Sequence, residues 1–271
     1  MSTKEKMPVV FIGHGSPMNL IEENPWTNSW EEMAQKIPTP KAILMISAHW
    51  YTDKTFLQSD EQPNMIYDMY GFPDPIYELE YDAPTSKALI HRVKDLLGDK
   101  VVLQANRGYD HGAYAPLLKM YPEAQIPVVQ LSVNYKLNAR QWFALGQLLS
   151  PLREEGVLII GSGDIVHNLR LINPSLGTTA LPPAEAFEES LLRKLDPTKD
   201  NDLLGALHWE ALPGAKIAAE HPNHLAPLFY CLGAVLGPGS IEALALKPYV
   251  LYTHEYVWGS LSMTSLSWGI I

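Results

Sequence analysis

Three short stretches of this chain are apolar at every consecutive position: Val9-Val10-Phe11-Ile12, Ala42-Ile43-Leu44-Met45-Ile46 and Val157-Leu158-Ile159-Ile160. A strand with one wet face alternates polar and apolar residues. An unbroken run marks a strand covered on both faces, as in a parallel sheet between two layers of helices. Helical patterns separate the runs. Trp30, Met33, Ala34 and Ile37 form one stripe of a helix over Thr27–Ile37, with Thr27 as its expected cap and Pro38 and Pro40 beyond its end. A second helix is predicted over Thr85–Leu97, stopped by Gly98, a third over Ala113–Tyr121 and a fourth over Asn138–Arg153. Residues 184–195, 200–212 and 226–236 also read as helices, and 248–268 as two late strands with Gly259 in a hairpin turn. The predicted fold class is α/β. A single domain spans residues 1–271, with a mostly parallel central sheet flanked by helices and late edge strands suited to antiparallel pairing.

Each apolar run leads to a histidine. The first ends in Gly13-His14-Gly15, the second in Ser47-Ala48-His49, and the third in Gly161-Ser162-Gly163-Asp164-Ile165-Val166-His167. In open α/β sheets ligands bind outside the C-terminal ends of the strands. His224 stands just before the predicted helix at Ala226, three residues after His221. Imidazole nitrogens suit Zn, Fe, Ni and Cu, so His14, His49, His167 and His224 are candidate ligands of one metal. Glu220 and Glu255 are the nearest spare carboxylates, and the glycines beside His14 are read as clearance for a ligand. His111, in Tyr109-Asp110-His111-Gly112, is a candidate acid/base, with Asp110 as the group that would orient it or raise its pKa through its charge. Residues 53–83 are rich in tyrosine and proline, which suggests a wall or lid over the site.

Composition removes several function classes. Thirty Asp+Glu against 20 Lys+Arg give a net charge of −10, and no basic run would track a phosphate backbone, so no nucleic-acid partner is expected. No apolar stretch reaches the ~20 residues of a membrane span. Met1–Lys6 has no apolar core, so no signal peptide is expected. The lone Cys231 cannot form an internal disulfide, which fits a reducing, cytoplasmic setting. Ser16 and Ser162 lie among glycines without the G-x-S-x-G pattern of a hydrolase nucleophile. Gly161-x-Gly163 lacks the third glycine of a dinucleotide loop, because position 166 is Val. That segment is read instead as a loop bringing backbone close to a metal or substrate.

Together, Gly13-His14-Gly15-Ser16-Pro17-Met18-Asn19, Ser47-Ala48-His49-Trp50, Tyr109-Asp110-His111-Gly112, Gly161–Leu169 and His224-Leu225-Ala226-Pro227-Leu228 resemble the class III extradiol ring-cleavage dioxygenases, in their 4,5-DOPA dioxygenase-like branch. The resemblance runs from about residue 8 to Met263. It implies one mononuclear divalent metal, Fe(II) for activity or Zn(II) as bound, and a reaction that opens a catechol ring with O2. It implies His14, His49 and His224 as ligands, His167 as ligand or acid/base, and His111 as the residue that meets substrate and dioxygen. Many members complete the site with a glutamate, where this chain has His224. Trp50 and the tyrosines of 67–81 are expected to sandwich the aromatic ring. The expected partners are a small catechol and O2, with no nucleic acid or membrane, in a monomer or small homo-oligomer. A zinc-dependent hydrolase on the same scaffold and a non-enzymatic metal-binding or interaction relative are the competing readings.

Overall fold

A computed structural model describes residues 6–270. The expectation for the first five residues lies outside them. The chain begins with strand β1 (Val9–Gly13), helix α1 (Pro25–Lys36), strand β2 (Ala42–Thr52) and the short β3 (Phe56–Gln58). The single-turn α2 (Asp74–Tyr77), α3 (Lys87–Leu97), β4 (Val102–Gln104), α4 (His111–Met120), β5 (Val128–Asn134), α5 (Ala139–Leu149) and β6 (Val157–Gly163) follow. Then come α6 (Pro182–Leu195), α7 (Leu203–Leu207), α8 (Ala215–Ala218) and α9 (Ala226–Leu236). The short strands β7 (Val250–Thr253), β8 (Tyr256–Val257), β9 (Leu261–Ser262) and β10 (Ser265–Trp268) complete it.

Eight strands form one sheet in the order β4-β3-β5-β2-β6-β1-β10-β7, and β8 and β9 form a separate antiparallel pair. The central neighbours β5, β2, β6 and β1 are parallel, and β10 and β7 add antiparallel strands, as predicted. Strand alternation divides the apolar runs between two cores. Val9, Phe11, Leu44 and Ile159 pack with residues of α3, α5, α6 and α9 on one face. Val10, Ile12, Ile43, Met45 and Ile160 pack with residues of α1 and α4 on the other. Adjacent β1 and β6 send their chains to opposite faces: β1 leads to α1 and β6 to α6. Such a divergence opens a crevice at the strands' C-terminal ends.

Local chemistry moved several boundaries. Asn24, rather than Thr27, caps α1, accepting from the Trp26 and Thr27 amides, and Pro25 starts it. Ser86 rather than Thr85 caps α3. Asp110 caps α4, so the helix begins at His111 and Pro116 lies in its interior rather than its first turn. The late region holds four short strands rather than two, with Gly259 at φ 86° in the β8–β9 turn as expected. Gly161–Gly163 is the end of β6, not a loop. No helix among the described residues is long and apolar enough to cross a membrane.

Candidate metal centre and catalytic cleft

The strand order explains why the histidines meet. β2, β6 and β1 are neighbours, so their C-terminal ends open on one crevice. His14 is the residue after β1, and its amide donates to Gly163 O at 3.0 Å, extending the β1–β6 pairing by one residue. His49 lies inside β2, not beyond it. Five residue steps on β2, Ile46 to Tyr51, face two on β5, Leu131 to Val133, so Ser47–Trp50 bulges from the ladder and carries His49 out. His224 precedes α9 and is held by its own carbonyl, which accepts from the Asp164 amide at 3.0 Å. Gly163 makes this approach possible, since a Cβ there would lie 2.0 Å from His224 O. The glycines beside His14 divide in role: Gly15 lines the cleft, whereas Gly13 lies against backbone. A Cβ on Gly13 would meet Met263 C at 2.7 Å, so the clearance admits the backbone before β10 rather than a ligand.

The candidate ligand nitrogens of His14, His49 and His224 lie within 4.8 Å of one another. His14 Nε2 and His49 Nε2 are 3.1 Å apart. His14 and His224 are buried, and burial, followed by the neighbouring imidazoles, pushes both well below the ordinary histidine range. They are therefore neutral donors at neutral pH. Both ring nitrogens of His224 lack a hydrogen-bond partner, as does the buried Asp164 Oδ2, which lies 4.0 Å from His14 Nε2. Burial raises the Asp164 carboxyl well above its ordinary range. Unpaired buried polar atoms around converging imidazoles are costly without a partner. A divalent cation fits this donor set.

Asp68, which sequence reasoning missed, joins the metal cluster to the catalytic candidate. Its Oδ2 is 3.2 Å from His49 Nδ1, and its Oδ1 accepts from His111 Nδ1 at 2.9 Å and from the His111 amide at 3.0 Å. Burial opposes its charge, yet the hydrogen bonds from His111 and His49 hold it well below the usual carboxylate range. An ionised acceptor fixes the proton of both rings on Nδ1 and leaves each Nε2 as a lone pair. Burial, then His49, lowers the His111 pKa, against the pull of Asp68. Asp110 does not orient this ring: it caps α4 and binds Ser47 Oγ and Arg107, while its charge joins that of Asp68 in opposing the fall of the His111 pKa.

His167 lies parallel to His224, with ring centroids 3.5 Å apart and 4° between planes. Burial, then His49 and His111, pushes it down to about 4. A cleft of about 840 Å³ opens over these groups, lined by His49, His111, His167 and His224 and by Met18, Met69, Tyr70, Phe72, Trp258 and Leu261. The expected wall over residues 53–83 is thus present through Asp68–Tyr70 and Phe72, but Trp50 is not part of it. His49 and Tyr51 face the cleft, so Trp50 between them turns away, buried and stacked at 6.5 Å on Phe56. Tyr81 is also buried, its hydroxyl on Tyr121 O. Neither proposed spare carboxylate joins the histidines. Glu220 pairs with Arg170 at 2.5 Å on the exposed part of the lining, and Glu255 lies in a separate hollow beside His254.

Residues 8–256 match the family described as the catalytic LigB subunit of aromatic ring-opening dioxygenase. The chain is 38% identical over 269 residues to a protein of Escherichia coli (strain K12) named 4,5-DOPA dioxygenase extradiol, covering 97% of this chain and 95% of that one. It is 40% identical over 237 residues to a Beta vulgaris protein of the same name, covering 83% and 85%. The crystal structure of an uncharacterized protein from Escherichia coli K12 superimposes with a TM-score of 0.78 at 35% identity, covering 97% of this chain and 99% of that one.

Proposed function

Because the chain belongs to the family of the catalytic LigB subunit of aromatic ring-opening dioxygenases, we propose that it opens a substituted catechol ring extradiol with O2. It is a metal-dependent oxidoreductase, and a DOPA-like catechol is the substrate class this reading takes. The observation that carries it is the convergence of His14, His49 and His224 at the base of an aromatic-lined cleft. His14, His49 and His224 would hold one divalent metal, Fe(II) for turnover or Zn(II) as bound, which supplies Lewis acidity toward the catechol hydroxyls and a site for dioxygen chemistry.

The chain's own residues supply the rest. Phe72, Met69 and Leu261 line the cleft where a flat ring would lie, with Tyr70 exposed at its edge. His111, with Nδ1–H held by Asp68, offers Nε2 as acceptor for a catechol proton. His167 is neutral at pH 7 and offers a second acceptor. A ligand imidazole points its lone pair in the ring plane, and the planes of His167 and His224 are parallel and offset. One metal does not lie in both planes, which supports His167 as acid/base beside the His14, His49 and His224 set; Asp164, His167 and His224 form a second group whose ligand atoms lie within 4.8 Å of one another. The Arg170–Glu220 pair is placed to meet a charged substituent on the catechol. The lone buried Cys231, whose thiol burial pushes up to about 12, supports a reducing, cytoplasmic setting.

Anaerobic reconstitution with Fe(II), followed by DOPA or caffeate and O2, tests the reading. A yellow ring-fission product with matching O2 uptake is expected, and no turnover across a catechol panel would reject it. His167→Ala should lose turnover by about 10²–10⁴-fold while retaining metal. Loss of metal from that variant would return His167 to the ligand set.

A further inference from the structure

We infer that Ser162 is a positioning residue that locks His14 in the Nδ1–H form, and that Pro116 sets this lock from the opposite helix. The inference rests on the reading of His14 as a metal ligand.

Ser162, at the end of β6 and fully buried, lies 3.0 Å from His14 Nδ1 through its Oγ. The same hydroxyl donates to Gly112 O at 2.5 Å. A serine hydroxyl has one proton and two lone pairs. In an α-helix the carbonyl of Gly112 would accept from the amide four residues on, but that residue is Pro116, which has no amide hydrogen. The carbonyl is thus left open inside α4, and Ser162 fills it. With its proton committed to Gly112 O, Ser162 can only accept from His14, so His14 carries its proton on Nδ1. Its Nε2 is then a bare lone pair.

The consequence lies 3.1 Å away, at His49 Nε2. Asp68 accepts from His49 Nδ1, so that ring also has no proton on Nε2. The short approach between the two Nε2 atoms is then not a hydrogen bond, because neither atom has a proton to give. Two lone pairs face each other, and a cation between them removes the conflict. Ser162 and Asp68 reach the same end on two ligands, one by a neutral hydroxyl and the other by a carboxylate. The interior proline of α4, unfavourable for the helix by itself, gains a role as the group that aims the serine proton.

The tautomers of the metal-free protein test this directly. Imidazole ¹⁵N shifts, assigned to His14 with a His14→Gln control, are expected to show Nδ1–H. A dominant Nε2–H form would overturn the inference whatever the metal content. In Ser162→Ala the His14 signal should move away from the pure Nδ1–H form, and zinc affinity, measured by competition with a chromophoric chelator, should fall about 10–100-fold. Unchanged tautomer and affinity in that variant would also overturn it. Pro116→Ala restores an amide to Gly112 O without touching Ser162 or His14. It should shift His14 toward Nε2–H, and an unmoved His14 would remove Pro116 from the account. If the wild type shows Nδ1–H yet binds no metal, the metal reading fails and the serine lock stands.

Discussion

Asp68 shows what single residues contribute and what a sequence conceals about them. It sits in Tyr67-Asp68-Met69-Tyr70, a segment whose visible signal is aromatic, and its partners lie 19 and 43 positions away at His49 and His111. No spacing rule links such positions. The histidines were legible because glycines and strand ends marked them; the carboxylate that orients them had no mark. Asp68→Asn keeps the shape but sets an NH₂ group against one of two imidazole N–H groups. We expect zinc affinity to fall about 10–100-fold in chelator competition, with turnover falling alongside. The histidines also set a pH dependence. His167 titrates near 4 in the folded chain against an ordinary value of 6.5, and burial lowers His14 and His224 as well. Below about pH 6.5 the unfolded chain takes up protons that the folded chain refuses, so the unfolded state gains. The urea midpoint of the metal-free protein should therefore drop from about pH 7 to about pH 5. A flat or rising profile would contradict the burial of these rings as neutral groups.

Elements place what residues supply. The apolar run Ala42–Ile46 marks only the first half of β2. The strand continues to Thr52, and the irregularity across Ser47–Trp50 is what turns His49 into the crevice while burying Trp50. Register irregularities depend on what the partner strand offers, here β5, so local pattern does not reveal them. The glycines of 161–163 were legible as a close approach but not as to what approaches. Cys231 Sγ and Pro227 O press on Gly161, and His224 O presses on Gly163. Gly163→Ala forces a Cβ to within 2.0 Å of that carbonyl, which is backbone and cannot swing aside. The variant should lose about 1–3 kcal/mol of stability by urea unfolding and bind zinc more weakly, since the displaced carbonyl belongs to His224, a proposed ligand. Arg170→Gln should raise KM for carboxylated catechols such as caffeate while leaving that for unsubstituted catechol little changed.

For the whole molecule, the α/β class and the parallel centre were legible, because unbroken apolar runs have few other homes in a chain of this length. The strand order was not. It is a matter of long-range pairing, and the order found brings β2, β6 and β1 side by side. A metal held by His14, His49 and His224 would join distant parts of the chain and should stabilise all of them together. Free metal at about 100 times Kd contributes about 2.7 kcal/mol, on the order of 5–10 °C in Tm for a chain of this size. Calorimetry with and without zinc should show that shift in a single transition. The segment Leu261–Trp268 adds a constraint in time. Met263 packs on Gly13 and Gly15 around His14, and Trp268 pairs with Val9 in β1. A ribosome delivers the start of β1 first and its antiparallel neighbour more than 250 residues later, by the difference 268 − 9. The nascent chain therefore carries an incomplete mount for His14 throughout most of synthesis. Metal binding through His14 therefore waits on the last strands of the chain to be made.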